Sequence, residues 1–327
     1  MSIQWPELTA LLQAKQRFLL TSHIRPDCDA LGSELGLAGI LEALGKQVTI
    51  VNGQETPPNL AFIDPERRIK ALHQDVQPEA LQAHDLLIIL DTSAWAQLGP
   101  MGDVIRATGM PKIIIDHHVS ADDLGATAYK NTTAEATGRI IAELAEHLHV
   151  PLTPAIATPL YAAVATDTGW FRFGSVSSST YRAIAKLVDA GAVPSAIYRD
   201  LYEQETLGRS RLRGIILARL ATELNGRLVY TYVRKGDFAQ AGAEPSDTED
   251  AINLALAIKG TEVAVIMVEQ PTGGFKISLR SRCAVDCSQL AATFGGGGHK
   301  AAAGGFINEP FEVAQEKLLA AVRQAMK

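Results

Sequence analysis

The sequence predicts an α/β protein: an open parallel sheet in the first part of the chain and a second, smaller α/β domain after it. Three observations predict this. Short runs of Leu, Ile and Val alternate with helical stretches, the rhythm of strand–helix–strand units whose strands run parallel. Two of those runs, 86–90 and 113–115, are apolar without interruption, as strands covered on both faces must be. After Asn225-Gly226 the pattern changes to strands that include a pair set apart by a Gly273-Gly274 turn. At 327 residues the chain also exceeds the roughly 250 at which a single core stops growing.

Taken in order, "RFLLTSH" reads as a strand and "DALGSELGLAGILEALG" as a helix stopped by Gly45. "QVTIVNG", "HDLLIILDTS" and "PKIIIDHH" read as further strands, and "TAEATGRIIAELAEHLHV" and "PAIATPLYAAVATDTGWF" as helices. From Tyr181 to Leu220 the pattern is helical and charged with no strand signal. This predicts a first domain over 1–185, a helical linker over 186–221, serving as a hinge or a homodimer contact, and a second domain over 222–327. In the second domain "RLVYTYV", "EVAVIMVEQ" and "GFKISLRSR" are strands, "TEDAINLALAI" and the closing "PFEVAQEKLLAAVRQAMK" helices.

Hydrophobic residues at 47%, charged residues at 20% and a net charge of −6 describe an ordinary soluble protein without the extensive basic surface that holds long nucleic acid. A short anionic ligand on a local basic cluster fits. No apolar run approaches the about 18 residues of a membrane span, and the N-terminus lacks the pattern of a secretory signal. Three cysteines, Cys28, Cys283 and Cys287, fit buried, reduced thiols of the cytoplasm.

Each of the three clearest strands ends in ionisable residues: His23 with Asp27 and Asp29, then Asp91, then Asp116-His117-His118. In open α/β sheets ligands bind outside the carboxyl ends of strands. Asp167 lies in an apolar helical pattern, where an unpaired carboxylate costs several kcal/mol. Asp29 and Asp91 could each be an N-cap, and the two histidines a polar loop. One shared metal site accounts for all four clusters together. Carboxylates with imidazole suit Mn²⁺ or Mg²⁺ over Zn²⁺, and the number of candidate ligands suits two ions sharing a bridging carboxylate. In the second domain "FGGGGHKAAAGG" sets Gly296, Gly297 and Gly298 beside His299 and Lys300. Such a run frees backbone N–H groups for phosphate oxygens. "SLRSR" adds Arg280, Ser281 and Arg282, and Lys276 extends the basic cluster. A flexible glycine loop is the alternative.

In order, "HIRPDCDALGS", "ILDTS", "IIDHH" and "ATDTGWF" resemble the four motifs of the DHH phosphoesterase family. "SLRSR" with "FGGGGHKAAAGG" resembles the DHHA1 domain that accompanies it. Length and layout are similar to the nanoRNase/pAp phosphatase group. The resemblance implies a Rossmann-like DHH domain with two Mn²⁺, for which Mg²⁺ or Co²⁺ can substitute. One ion would sit on His23, Asp27 and Asp91, the other on Asp29, Asp91, His117 and Asp167. His118 would touch the scissile phosphate or act as an acid, and Asp116 would support the histidines. Arg280, Ser281, Gly297, Gly298 and His299 would hold the nucleotide. Cys28 stands where the family usually has glycine, so its thiol is expected either to point away from the ions or to sit beside them.

The implied activity is hydrolysis of short oligoribonucleotides to 5′-mononucleotides and of 3′-phosphoadenosine 5′-phosphate (pAp) to AMP, with a hydroxide activated between two metals. Its competitors are a linear or cyclic dinucleotide phosphodiesterase, a manganese pyrophosphatase, a RecJ-like exonuclease and a silent nucleotide-binding regulator. Short oligoribonucleotides and nucleoside bisphosphates are the expected partners.

Overall fold

A computed structural model describes residues 3–119 and 121–327. It divides into two compact units, one running to Glu203 and the other starting at Gln204. The first holds α1 (Trp5–Ala14), β1 (Arg17–Thr21), α2 (Cys28–Ala43), β2 (Gln47–Asn52), β3 (Ile69–Ala71), β4 (Leu86–Leu90), α3 (Met101–Ala107), β5 (Lys112–Asp116), β6 (Thr127–Lys130), α4 (Thr137–His147), α5 (Pro154–Asp167), α6 (Ser178–Asp189) and α7 (Pro194–Tyr202). All six strands pair in parallel in the order β3-β2-β1-β4-β5-β6. The order reverses between β1 and β4, the crevice where doubly wound sheets take their ligands.

The uninterrupted strands behave as predicted: all five residues of β4 are buried. One face packs under α2, α4 and α5. The other packs Leu19, Leu87 and Ile89 against Met101 and Ile105 of α3. The sequence reading passed over α1, α3, β3 and β6. β3 has three residues, and β6 is an edge strand with two exposed positions, too little apolar pattern to stand out. At the end of α2, Gly45 takes a φ of 75°. Its N–H donates to the Glu42 carbonyl at 2.8 Å and that of Lys46 to Leu41 at 3.0 Å, the left-handed stop that glycine permits.

α2 and α5 share a glycine seam. A Cβ on Gly32 would come within 2.3 Å of the Pro159 carbonyl, one on Gly36 within 2.4 Å of Leu160, and one on Gly39 within 2.7 Å of Ile156. The helices therefore approach to backbone contact, which sets the start of α2 against the end of α5.

The second unit holds α8 (Leu207–Ala218), β7 (Ala221–Glu223), β8 (Leu228–Val233), α9 (Lys235–Ala241), α10 (Ala251–Leu256), β9 (Val263–Glu269), β10 (Phe275–Ser281), α11 (Cys287–Ala292), β11 (Gly297–His299), β12 (Ala302–Ile307) and α12 (Phe311–Ala325). Its mixed sheet runs β11-β12-β10-β9-β8-β7, with only β8 and β9 parallel. The stretch 186–221 holds the end of α6, α7 and α8, with α7 in the first unit and α8 in the second, and its last residue, Ala221, already begins β7. Cys28 and Cys287 are buried, while Cys283 is only half-buried.

Candidate metal centre

The site forms where β1, β4 and β5 end side by side. β1 leads into a turn carrying His23 and Asp27. Asp27 is the N-cap of α2, accepting from the N–H groups of Asp29 and Ala30 at 3.0 and 3.1 Å. The capping role that the sequence allowed Asp29 therefore belongs to Asp27. Asp29, buried, instead accepts from the first N–H groups of α4, Thr137 at 2.7 Å and Gly138 at 2.8 Å. A helix N-terminus is a natural place for a carboxylate. Asp91, just beyond β4, caps no helix either. It takes a φ of 59° and receives the Thr137 hydroxyl on Oδ1 at 2.8 Å.

These groups converge. His23 Nε2 lies 3.5 Å from Asp91 Oδ2 and 3.8 Å from Asp27 Oδ1. His117 Nε2 lies 3.6 Å from Asp91 Oδ1, 3.8 Å from Asp29 Oδ2 and 3.5 Å from Asp167 Oδ2. Asp91 thus turns one oxygen to each imidazole. The sets His23–Asp27–Asp91, Asp29–His117–Asp167 and Asp91–His117–His118 each offer ligand atoms within 4.8 Å of one another. The Nδ1 atoms of His23 and His117 lie 3.0 and 3.2 Å from the carbonyls of Ile24 and Ala134. A carbonyl can only accept, so Nδ1 carries the proton and Nε2 presents its lone pair to the cluster.

Burial, then repulsion from Asp91 and Asp167, pushes the Asp29 carboxyl well above the usual range. Burial, then Asp27, does the same to Asp91, and burial raises Asp167. Crowded acids of this kind are held together by a compensating positive charge, and a mixed oxygen–imidazole set without thiolate suits a hard divalent ion. The residues fit a divalent metal ion.

Asp116 is different. Burial opposes its charge, but bonds from His118, Lys130 and Ser93 outweigh that and hold it well below the usual range. His118 Nδ1 meets Asp116 Oδ1 at 2.8 Å, while Lys130 Nζ and Ser93 Oγ reach Oδ2 at 3.0 and 2.8 Å. The same bond raises the His118 pKa above its ordinary value. Cys28 packs in the core and is hydrogen-bonded to Thr166; burial pushes its thiol up to about 12.

The sequence reading missed Thr137, Gly138, Lys130 and Glu34. Glu34 is 0% exposed. Its Oε2 accepts from Asn52 Nδ2 at 2.9 Å, and Asn52 Oδ1 accepts from the N–H of Ser22, next to His23, at 3.0 Å. Its Oε1 is buried without a partner, and burial raises the carboxyl to about 7. A helix-internal Glu carries no signal of burial; only the Asn52 contact reveals it.

In the second unit Arg280 pairs with Ala302, and Ala302 with His299. Directly opposed residues share a face, so Arg280 and His299 flank Ala302 on the side opposite the Leu279 core. Ser281 points the other way: it is buried and its hydroxyl lies 3.2 Å from the Cys283 N–H. Arg282 is exposed. The glycine run is an edge strand rather than a free loop. The N–H groups of Gly295 and Gly296 donate to Ala292 and Ala291, and a Cβ on Gly296 would come within 2.0 Å of the Gly304 carbonyl. Close passage of β12 accounts for Gly296; Gly297 and Gly298 pair with Gly304 and Ala303.

Residues 17–164 match the N-terminal domain of the DHH family and residues 225–327 the DHHA1 domain. Over 94% of its length the chain is 31% identical to a bifunctional oligoribonuclease and PAP phosphatase of Thermus thermophilus, covering 89% of that protein. The chain belongs to the DHH family. Members of this family are phosphoesterases, and this protein is such an enzyme. A bifunctional oligoribonuclease and PAP phosphatase of Bacillus subtilis is 27% identical, with 92% of each chain covered. The crystal structure of an exopolyphosphatase-related protein from Bacteroides fragilis matches with a TM-score of 0.81 and 26% identity, covering 98% of this chain and 95% of that one. Among the described residues no helix is long and apolar enough to cross a membrane.

Proposed function

We propose that this member of the DHH family uses two Mn²⁺ ions to hydrolyse very short oligoribonucleotides to 5′-mononucleotides and pAp to AMP. The observation that carries the reading is Asp91, whose two oxygens face His23 and His117 at 3.5 and 3.6 Å. His23, Asp27 and Asp91 would hold one ion, and Asp29, Asp91, His117 and Asp167 the other. The activities named for the Thermus and Bacillus relatives support the choice of substrate. When bound, such ions neutralise charge on phosphoryl oxygens and acidify water.

The chain's own groups do the rest. Asp29 and Asp91 are held by Thr137 and Gly138, so the carboxylates are positioned before substrate arrives. Asp116 keeps His118 protonated at Nδ1, and the exposed imidazolium donates a proton to the leaving oxygen. Arg280 and His299 offer donors to a nucleotide phosphate on the second unit. The test is turnover of pAp and of a dinucleotide with added Mn²⁺. Asp91→Ala is expected to lower kcat about a thousandfold and to reduce bound Mn²⁺ in calorimetry. Wild-type protein that binds Mn²⁺ yet releases phosphate only from pyrophosphate would replace this reading.

A further inference from the structure

Among the described residues five aromatic side chains are exposed: Phe173, Tyr181, Tyr198, Tyr202 and Phe306. Four of them, Phe173, Tyr181, Tyr198 and Tyr202, lie between "ATDTG" and the end of α7. Tyr181, Tyr198 and Tyr202 form the rim of one connected cluster. Trp170 contacts Tyr198 and Tyr202 with ring centroids at 5.0 and 5.7 Å, and Tyr198 meets Tyr202 at 5.0 Å. Phe171 links Trp170, at 6.1 Å, to Tyr181, at 5.8 Å.

The cluster begins three residues after Asp167. Gly169, Trp170 and Phe171 take φ values of 57°, 58° and 65°, a left-handed run that is costly for aromatic residues and turns the chain sharply off the end of α5. Phe173 folds over Gly169, where a Cβ would come within 2.4 Å of its ring. On the other side Tyr202 lies within electrostatic reach of Cys28, between Asp27 and Asp29, and of Arg172. The rings thus follow Asp167 closely in the chain, Tyr202 reaches the residue between Asp27 and Asp29, and Arg172 lies over the Phe173 ring at 6.0 Å. Burying these rings in a core would stabilise the fold; leaving them in water on the segment that follows a metal-ligand candidate suits a ligand with a flat face.

We infer that the rim formed by Tyr181, Tyr198 and Tyr202 is a stacking platform for the nucleobases of the substrate. The inference rests on the nucleotide reading of the metal centre and adds a base subsite to it. A π-face stacks on any base, so the platform favours nucleotides over simple phosphoesters without selecting a base. It also accounts for tyrosines rather than aliphatic side chains: an offset ring is held by its face while the hydroxyl stays in water.

The experiment compares Tyr202→Ala, Tyr202→Phe and Tyr181→Ala in the full chain. With a diribonucleotide, KM is expected to rise about tenfold in the alanine variants and to return in Tyr202→Phe, with kcat little changed. With an abasic dinucleotide the wild type and Tyr202→Ala should have equal KM. Titration with AMP should quench the fluorescence of Trp170 in the wild type and much less in Tyr202→Ala. An equal KM rise on the abasic substrate, or no rise on either, overturns the platform. So does a fall from dimer to monomer in Tyr202→Ala, which would assign the rings to a second copy. If the wild type cleaves no nucleotide, the nuclease reading falls, and the AMP titration still decides the platform.

Discussion

At the residue scale, the site is organised by who neutralises whom. Asp116 is charged because His118, Lys130 and Ser93 all donate to it, and His118 is in turn raised above its ordinary value. A proton donor works while it is protonated, so kcat on pAp should fall as pH rises through the His118 pKa. Asp116→Asn removes the charge that raises it, and the alkaline limb should move to lower pH; a limb that stays in place would exclude His118 as the donor. Glu34 gives a second pH dependence, this time in stability. Its folded pKa of about 7 lies above the ordinary 4.5, so the folded state favours the protonated form. That contribution is complete below the unfolded value, is lost as pH rises toward 7, and is constant beyond. It amounts to about 3 kcal/mol. The stability difference between wild type and Glu34→Gln, measured by urea unfolding with metal chelated, should change by roughly this amount across the window. A flat difference would mean that Glu34 ionises freely. The ligand candidates were legible because each ends an apolar strand or sits in an apolar helix. Glu34 and Thr137 were not, since their partners Asn52 and Asp29 lie 18 and 108 residues away.

At the scale of elements, the α2–α5 seam decides where Asp29 and Asp167 stand. Gly32→Ala would place a Cβ against the Pro159 carbonyl at 2.3 Å and Ala163 at 2.9 Å, and backbone cannot step aside as a flexible side chain can. We expect a loss of about 1–3 kcal/mol, read as a lower Tm, with weaker Mn²⁺ binding in calorimetry. Gly214, exposed in α8 with nothing within 4 Å of its added Cβ, should behave oppositely. Gly214→Ala should stabilise by about 0.5–1 kcal/mol. Strand β4 and helices α2, α4 and α5 could be read from periodicity and capping. β11 could not, because three residues of glycine and histidine carry no strand pattern; only pairing with β12 makes them one.

For the whole molecule, each unit has cores of its own. The first is built on the two faces of the parallel sheet. The second packs Val265, Ile277 and Leu318 on one side of its sheet and Ala264, Ile266 and Ile252 on the other. Units with separate cores can fold alone. Fragments ending at Glu203 and starting at Gln204 should each melt cooperatively by circular dichroism, and only the first should bind Mn²⁺. Manganese retained by the second fragment would misplace the centre. The division of labour was visible in the sequence as a change of rhythm near Asn225. The boundary at 203–204 carries no such signal, because α7 and α8 follow one another in a stretch without strands and which core each joins is decided by tertiary packing.

The glycine seam has a consequence for anyone transplanting this chemistry. Copying the histidine- and aspartate-bearing loops onto another scaffold would move the donors but not the gap between two helix backbones that spaces them. A successful graft must import α2 and α5 as a pair, three small residues included, before the first loop is worth installing.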